Sequence, residues 1–531
     1  MGYILGLSHP TGADSAACLI ADSTLLGLYE EERFSRQKHS RNAPPFRALD
    51  RLLKEAGISI REVDRIVVGL TRPTVGSHGD RKLDSFLGDM IGVYDFYDAR
   101  LSSLGPRQER LDHYEAHALS VATYFWGRET NLMMLDGWGG DFAGAAMSLS
   151  ADGELRELWR VPVTHSLGLF YQTVTARLGF QPHADEGKTM GLAAYGEVDE
   201  GLLPDLCDAG TSLPELPRYL EYFESCTVSR RRDEPLTRKH ENFAATAQFY
   251  LERAVVRSAE RMWRETGCRS FGVAGGVALN CVANGKLARS DFVDEIIVTP
   301  VANDAGTALG AAIAGACADG QRVALPRDSA FFGPGYSEAD INAALNFAKL
   351  ALKRCDPAEA VSRALVEGKV AAIYQGRAEI GPRALGARTI LADPRSRAMR
   401  DRVNNEVKQR EAWRPFAPVA REAKAREIFG VATPFMTIAD EVNESWRPRL
   451  EAVVHVDGTA RAQIVPSDSN PLLEDILDRF DVATGVPVLL NTSFNLSDEP
   501  IVERPDQAIA TFFRSGLDVL AFEHGILTKA K

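Results

Sequence analysis

The stretch Tyr374–Arg395, YQGRAEIGPRALGARTILADPR, combines arginine with glycine and follows a short apolar run at 370–373. The apolar run predicts a buried strand. Glycine lets the backbone approach a ligand closely, and the arginine guanidinium matches phosphate oxygens two at a time. Pro382 fixes a turn, which holds the arginines in place. The pattern predicts an oxyanion site, most simply for phosphate; the alternative is a solvated basic loop.

The composition indicates a soluble globular protein of more than one domain. A chain of 531 residues is longer than one hydrophobic core usually serves, and it is 45% hydrophobic and 25% charged. The net charge of −12 argues against a general nucleic-acid binder. The longest apolar candidate, 305–318, is shorter than the ~18 residues of a membrane span, so no membrane partner is expected.

The cysteines and the first residues predict a cytoplasmic location. Seven cysteines are scattered along the chain without a CxxC pair, which is typical of reduced thiols. The start, MGYILGLSHP, lacks the basic segment and apolar core of a signal peptide.

Three strands followed by helices are predicted twice in the first part of the chain, although no sequence repeat is visible. Such a duplicated unit favours two α/β lobes with a nucleotide cleft between them, as in the actin, sugar-kinase and heat-shock ATPase superfamily. The predicted strands are 3–7, 16–21, 25–30, 66–69, 132–135, 145–149, 155–161, 271–274 and 295–298; the helices are 46–56, 113–125, 167–178, 244–266, 279–288 and 306–318.

A Pro/Gly-rich segment at 325–336 predicts a linker to a second domain. Helices at 338–347 and 357–367 are expected to lead into it. Strands are expected at 370–373 and 486–490.

Several long motifs closely resemble those of the NodU/CmcH carbamoyltransferases, in the same order along nearly the whole chain. They include the stretch at 376–395, the segments at 403–420, 455–465 and 486–495, and the N-terminal segments at 13–20 and 30–39. The resemblance implies a TsaD-like domain at 1–335, with a duplicated ribonuclease-H-like fold of the actin/sugar-kinase/heat-shock ATPase superfamily. It also implies a YrdC/Sua-like α/β domain at 336–531, which forms a carbamoyl adenylate.

Two histidines four residues apart, His113 and His117, would lie on one face of a helix and could bind one cation. An ordinary surface or core pair is the alternative. Asp136 and Asp304 each follow a predicted strand end. The resemblance implies that these four residues hold one metal ion, Fe²⁺ or Zn²⁺, because imidazole and carboxylate suit either.

Paired glycines between a strand and a helix, Gly275 and Gly276, offer backbone to a nucleotide. Together with the run at 186–196, they match the nucleotide-binding lobe of the family. A turn glycine and a surface lysine are the alternatives to this interpretation. The nucleotide-binding candidates in this domain are Gly137, Lys188, Gly275, Gly276, Asn280 and Asn303.

The chain departs from the family at one catalytic position. In the N-terminal segment at 13–20, the family usually has a histidine directly before the aspartate. That histidine is thought to be the base for the acceptor hydroxyl, whereas Ala13 precedes Asp14 here. Three explanations are open: His9 stands in, Asp14 or His39 is the base, or the transfer half-reaction is altered or lost. His9 is the preferred candidate.

The resemblance places the carbamoyl phosphate and ATP site on cationic and short polar residues of the second domain. Carbamoyl phosphate and the ATP triphosphate bring several negative charges into one pocket, which opposing cations and Mg²⁺ must balance. The residues implied are Arg383, Arg388, Lys408, Arg414, Arg461, Ser493 and Asn495.

These expectations describe an ATP-dependent O-carbamoyltransferase that forms carbamoyl adenylate from ATP and carbamoyl phosphate. It would pass the carbamoyl group to a hydroxyl of a small secondary metabolite or sugar. The alternatives are an amine acceptor, a phosphotransferase of the sugar-kinase type, and a catalytically impaired relative. The sequence does not decide between a monomer and a homodimer.

Overall fold

The computed structural model describes residues 2–8, 13–41, 43–70, 95, 99–100, 102, 108–208 and 213–529. Its contacts divide the chain into two compact units. The first unit consists of Met1–Ser35 and His39–Pro326, and the second of Arg36–Lys38 and Arg327–Lys531.

The first unit contains two five-stranded sheets, ordered β3-β2-β1-β4-β5 and β10-β9-β6-β7-β8. Their strands are β1 (Tyr3–Ser8), β2 (Ala16–Ala21), β3 (Thr24–Glu30), β4 (Arg65–Gly69), β5 (Gln108–Leu111), β6 (Thr130–Gly139), β7 (Phe142–Leu149), β8 (Leu155–Pro162), β9 (Ser270–Ala274) and β10 (Glu295–Val298).

The two sheets have the same topology. In the first, β1, β2 and β3 form an antiparallel meander, and β4 and β5 extend β1 in parallel. In the second, β6, β7 and β8 form the meander, and β9 and β10 extend β6 in parallel. This strand order, found twice, is the duplicated ribonuclease-H-like arrangement, so the predicted fold class is confirmed.

The helices of the first unit complete the two lobes and position its polar site. Helix α9 is rich in alanine and glycine and packs against α3 and β1. A side chain at Gly310 would collide with the carbonyl of Ala116, so glycine lets α9 approach the backbone of α3. The helices are α1 (Glu31–Ser35), α2 (Phe46–Ala56), α3 (His113–Ala122), α4 (Leu167–Arg177), α5 (Glu186–Ala193), α6 (Leu216–Ser225), α7 (Arg238–Thr266), α8 (Cys281–Ala288) and α9 (Ala305–Ala318).

The second unit is an α/β domain around a seven-stranded mixed sheet ordered β16-β13-β17-β12-β11-β18-β19. Strands β14 and β15, which lie between β13 and β16 in the sequence, form a separate two-stranded sheet. Its strands are β11 (Ala371–Tyr374), β12 (Arg388–Ala392), β13 (Ala417–Arg421), β14 (Asp440–Glu441), β15 (Thr459–Ala460), β16 (Gln463–Val465), β17 (Val488–Ser493), β18 (Val519–Phe522) and β19 (Gly525–Thr528). Its helices are α10 (Glu338–Phe347), α11 (Pro357–Val366), α12 (Arg397–Arg402), α13 (Glu422–Ile428), α14 (Pro471–Thr484) and α15 (Pro505–Arg514).

Three differences from the predicted elements have physical causes. Strand β5 lay in a segment without an apolar pattern, because its sequence QERL is polar and only partly buried. Helix α7 begins six residues before the predicted start at 244, because Thr237 and His240 form a capping box there. The predicted linker segment is held by backbone hydrogen bonds: the N–H of Gly333 donates to the carbonyl of Ala378, and the N–H of Ala378 donates to the carbonyl of Pro334, each at 2.9 Å.

Among the residues that the structure describes, no helix combines the length and apolar character needed to cross a bilayer.

Candidate functional site

Two histidines and two aspartates from different elements converge in the first unit. His113 and His117 lie one turn apart on α3, Asp136 lies on β6, and Asp304 immediately precedes α9. Their ligand atoms all lie within 4.8 Å of one another. We call these four residues the His/Asp cluster. They are the residues predicted as metal ligands, and the structure brings them together.

The start of α3 is fixed by an aspartate cap, which sets the direction of both histidines. Oδ1 of Asp112 accepts the backbone N–H of Tyr114 at 3.0 Å and that of Glu115 at 3.1 Å. Because the helix therefore begins at His113, His117 follows on the same face, and the two ring centroids lie 4.7 Å apart.

Backbone amides orient the Asp136 carboxylate. Its Oδ1 accepts the N–H of Gly137 at 2.7 Å and the N–H of Gly276 at 3.1 Å. Its Oδ2 then lies 3.5 Å from Nε2 of His113 and 3.4 Å from Nε2 of His117. One oxygen is thus held by the backbone while the other faces the imidazoles.

Burial and mutual charge shift the pKa values within the His/Asp cluster. Burial lowers the pKa of His117, but the Asp136 and Asp304 carboxylates outweigh it and raise the pKa to about 9. Burial opposes ionisation of Asp136, yet His113 and His117 hold its pKa well below the usual range. Burial and the charge of Asp136 raise the pKa of Asp304. The cluster therefore gathers negative charge that attracts a proton or another cation.

The spacing of the His/Asp cluster fits a transition metal. Nε2 of His117 lies 3.4 and 3.6 Å from the nearest oxygens of Asp136 and Asp304, beyond a good hydrogen bond. Ligands about 2.1 Å from a tetrahedral ion lie roughly 3.4 Å from each other. Within the described ranges, both ring nitrogens of His117 and Oδ2 of Asp136 are buried without a hydrogen-bond partner. One cation would satisfy Nε2 of His117 and Oδ2 of Asp136, whereas Nδ1 points away from them on the imidazole ring.

The predicted glycines surround the same strand ends. Gly275 follows β9 with a φ of 91°, and a side chain there would collide with the carbonyl of Leu135. The amides of Gly137 and Gly276 are used by Asp136, as described above. In this structure these glycines shape the His/Asp cluster, and nucleotide binding by them stays a prediction.

The three other predicted nucleotide contacts differ in what their side chains do. Nζ of Lys188 lies 3.2 Å from Oδ1 of Asp185. The Asn280 amide exchanges two hydrogen bonds with Gln248, at 3.0 and 2.9 Å. Oδ1 of Asn303 is buried, and no described residue donates to it. Of these three, Asn303 is best placed to receive a donor from a ligand.

Two of the predicted catalytic residues are in contact. Nδ1 of His39 lies 2.9 Å from Oδ1 of Asp14. The third candidate, His9, lies outside the described residues.

His183 is a residue that the sequence analysis missed. It adopts a φ of 61° in the loop before α5. Burial and the positive charge of Arg41 lower its pKa, His39 lowers it further when protonated, and Asp136 opposes them. A lone histidine in the sequence QPHADEG carries no motif, so only the fold shows that it lies near both His39 and Asp136.

In the second unit, Lys408 is held against two of the other predicted residues. Its Nζ donates to the carbonyl oxygens of Ser493 and Asn495, each at 2.8 Å, and the lysine is 3% exposed. Burial and the charges of Arg410 and Arg414 lower its pKa well below the usual value. The structure therefore brings Lys408, Ser493 and Asn495 together beside further cations.

Arg410 joins this group although it was not predicted. Burial and the charges of Arg414 and Arg461 lower the pKa of Arg410 strongly. Nε of Arg461 is buried and has no acceptor among the residues described. We call Lys408, Arg410, Arg414 and Arg461 the cationic cluster. Arg410 and Arg414 both lie in the sequence KQREAWR. Its charge pattern does not show that Arg410 belongs to the cluster, so the sequence analysis missed it.

Arg388 lies on the arginine-rich stretch but is turned into the protein. Its side chain is fully buried, its Nη1 donates to the carbonyl of Gln375 at 2.5 Å, and its guanidinium lies 3.9 Å from the Tyr374 ring centroid. It therefore fixes the shape of the loop in this structure, and direct ligand binding by Arg388 stays a prediction. Arg383, on the same loop, is half-buried.

The structure thus has an α/β fold with four clustered potential metal ligands in one unit and four clustered cationic side chains in the other. Sequence comparison identifies the family: the chain matches the family descriptions "Carbamoyltransferase N-terminus" over residues 103–313 and "Carbamoyltransferase C-terminus" over 362–529. The protein belongs to the carbamoyltransferase family, and it is a carbamoyltransferase. It accordingly needs a carbamoyl donor and an acceptor.

Similar proteins support this membership along the whole chain. Nodulation protein NolNO of Sinorhizobium fredii is 36% identical over 97% of this chain and 79% of its own length. Nodulation protein NolO of Bradyrhizobium diazoefficiens is 38% identical, covering 77% of each chain. A solved structure of full-length HypF in a phosphate- and nucleotide-bound form has a TM-score of 0.37 and 14% identity, covering 61% of this chain and 56% of that one. The fold assignment rests on the sheet orders.

Proposed function

We propose that this carbamoyltransferase is ATP-dependent and forms carbamoyl adenylate in its second unit, from ATP and carbamoyl phosphate. The observation that carries the proposal is the cationic cluster. The pKa values of Lys408 and Arg410 are lowered, because burial and the neighbouring charge of Arg414 disfavour a further positive charge there. Two polyanionic substrates would supply the opposing negative charge, and Mg²⁺ would enter with the ATP.

Oriented donors in the cationic cluster support the chemistry of adenylation. The buried Nε of Arg461 has an N–H ready for a phosphate oxygen. Such preorganised donors would stabilise the charge that develops at the α-phosphorus when carbamate attacks it and pyrophosphate leaves. The carbamate comes from carbamoyl phosphate, whose phosphoryl group passes to water and leaves as inorganic phosphate. Arg383 and Arg414 are proposed to align the two substrates.

The first unit is proposed to carry the transfer step. A transition metal such as Fe²⁺ or Zn²⁺, held by His113, His117, Asp136 and Asp304, would supply Lewis-acid polarisation of the carbamoyl oxygen. The residues around it orient these ligands: Gly137 and Gly276 hold Asp136, and the Asp112 cap directs the two histidines. The acceptor is proposed to be a hydroxyl of a small metabolite or sugar, and the resulting product a carbamate ester.

Pyrophosphate release tests adenylation directly. The protein is incubated with ATP and labelled carbamoyl phosphate, and pyrophosphate and ADP are measured separately. Pyrophosphate that depends on carbamoyl phosphate is the expected result. ADP formed only when a sugar is added would instead indicate a phosphotransferase of the sugar-kinase type.

A matched pair of variants assigns the activity to the arginine-rich stretch. Arg383→Ala should lower pyrophosphate release by about 100-fold or more, because a charge-assisted contact to the transferring group is lost. Arg363→Ala removes an arginine of the same unit whose side chain is 63% exposed, and should leave the rate unchanged. Unaltered release by Arg383→Ala would contradict the assignment.

A further inference from the structure

Asp14 and His39 form a dyad that is held by two hydrogen bonds, one between the side chains and one between the backbones. The side chains meet at 2.9 Å between Oδ1 of Asp14 and Nδ1 of His39, and the backbone N–H of Asp14 donates to the carbonyl of His39 at 2.7 Å. An ionised carboxylate only accepts hydrogen bonds, so Nδ1 of His39 carries the proton. In the neutral imidazole the lone pair is then on Nε2, as a general base requires.

A second carboxylate fixes the backbone of the dyad. Oε2 of Glu32 accepts the N–H of His39 at 2.8 Å. Asp14 and His39 have φ values of 61° and 63°, in the left-handed region. For residues other than glycine this conformation is uncommon. Hydrogen bonds that hold two such residues side by side indicate that their relative placement matters.

The dyad lies near the His/Asp cluster and is partly exposed, although Nε2 of His39 is itself buried. The side chains of His39 and Asp14 are 21% and 14% exposed. His183 is close enough to His39 and Asp136 for Asp136, and His39 when protonated, to shift its pKa. Burial raises the pKa of Glu186, at the start of α5, and His39 opposes this rise when it is protonated. The imidazole of His39 therefore borders the region where the transfer step is proposed.

We propose that His39 is the general base for the acceptor hydroxyl and that Asp14 is its positioning residue; this rests on the proposed carbamoyl adenylate. The hydroxyl oxygen attacks the carbamoyl carbon while its proton passes to Nε2 of His39. The bond from that carbon to the phosphate oxygen breaks, and AMP leaves with the electron pair. Asp14 stabilises the imidazolium until it returns the proton to solvent. Ala13, the preceding residue, has no titratable group.

Two small nucleophiles, water and hydroxylamine, distinguish a role of His39 as general base from a role in forming the adenylate. Water stands in for the acceptor hydroxyl, and its attack on carbamoyl adenylate needs a base and releases AMP. Hydroxylamine is uncharged and strongly nucleophilic at neutral pH, so it traps the adenylate as hydroxyurea without a base. The full-length, metal-loaded protein is given ATP and carbamoyl phosphate, and AMP release in water and ATP-dependent hydroxyurea formation are measured.

The variants are chosen to suit the backbone. Asparagine tolerates the left-handed region, so His39→Asn and Asp14→Asn should preserve the fold. His39→Asn should lower AMP release in water by about 100-fold, and Asp14→Asn by at least about 10-fold. Both should form hydroxyurea within about 2-fold of the wild-type rate. Added imidazole should restore AMP release in His39→Gly, which also suits the left-handed backbone, but should not alter His524→Ala, which changes an exposed histidine of the second unit.

The remaining outcomes overturn the proposal in distinguishable ways. Wild-type AMP release by His39→Asn would show that His39 is not the base. Equal loss of AMP release and hydroxyurea in a folded His39→Asn variant would show that it acts before transfer. No hydroxyurea from the wild-type protein would refute the adenylate itself, and the inference would fall with it.

Discussion

A single buried carboxylate shapes the loop that carries Arg383. Glu379 is 1% exposed, and its Oε1 accepts the N–H of Leu385 at 2.6 Å and those of Ala387 and Arg388 at 3.3 Å each. One oxygen thus satisfies three amides of the stretch GPRALGAR. The buried carboxylate of Glu379 therefore stabilises the turn of this loop through these three hydrogen bonds.

Replacing Glu379 with alanine should destabilise the second unit more than replacing it with glutamine. Glu379→Ala leaves three buried amides without an acceptor, each costing about 1–3 kcal/mol, so the free energy of unfolding of the second unit should fall by at least about 3 kcal/mol. Glu379→Gln keeps an accepting oxygen and should lose less. Urea unfolding measures both, with Glu422→Ala, at an exposed site, as control. Equal midpoints for Glu379→Ala and wild type would contradict this account.

At the residue scale, the sequence identified chemistry better than it identified roles. The four members of the His/Asp cluster follow from residue type and family resemblance, and the structure places them together. Arg388 and Asn280 have the right chemistry for phosphate but are used internally, by backbone carbonyls and by Gln248. Direction of a side chain depends on packing across the fold, which a linear pattern does not contain.

At the element scale, α2 begins at a cap supplied by another helix. Pro45, the residue before α2, offers no side-chain acceptor. Instead, Oε2 of Glu31 accepts the N–H groups of Arg47 at 3.0 Å and Ala48 at 2.9 Å. Burial raises the pKa of Glu31 to about 7, and the two backbone hydrogen bonds only partly oppose it. The cap therefore titrates near neutral pH.

This cap predicts a pH dependence of stability. The pKa of Glu31 in the fold exceeds its value in the unfolded chain, so its contribution is full below about pH 4.5 and is lost as pH rises through about 7. Glu31→Gln keeps an acceptor for both amides and cannot ionise. From pH 5 to 8 the wild type should therefore lose free energy of unfolding relative to Glu31→Gln, by at most about 1.4 kcal/mol per pH unit. Urea unfolding across this range measures the difference; a constant difference would refute the assignment.

The accuracy of the predicted elements follows their apolar pattern. Strands β1, β2 and β3 and helices α10 and α11 were predicted within a residue or two, because buried periodicity marks them directly. Strand β5 was missed since its polar residues at the sheet edge have no such pattern. The early start of α7 depends on capping by His240, a residue that seldom signals a helix start.

At the scale of the whole molecule, the duplicated topology explains why the His/Asp cluster lies where it does. Asp136 stands on the first strand of the second sheet, and α9, which follows Asp304, packs against β1 of the first sheet. Helix α3 contacts α9 and β6, so elements of both lobes of the first unit contribute ligands. The duplication was predictable from the repeated strand pattern, but the pairing of α3 with α9 was not, because it depends on the glycine contact at Gly310.

Two proposed sites in separate units should fail separately. His117→Ala removes one ligand of the His/Asp cluster, so metal content by elemental analysis should fall from about one ion per chain to a small fraction, while pyrophosphate release continues. Arg461→Met removes a donor whose Nε has no acceptor in the described structure, so the fold should tolerate it. It should keep the metal yet lower pyrophosphate release by about 100-fold. Each variant is the control for the other, because both are single changes in the full chain. Loss of pyrophosphate release in a folded His117→Ala variant, or loss of metal in Arg461→Met, would mean that the two chemistries depend on one another.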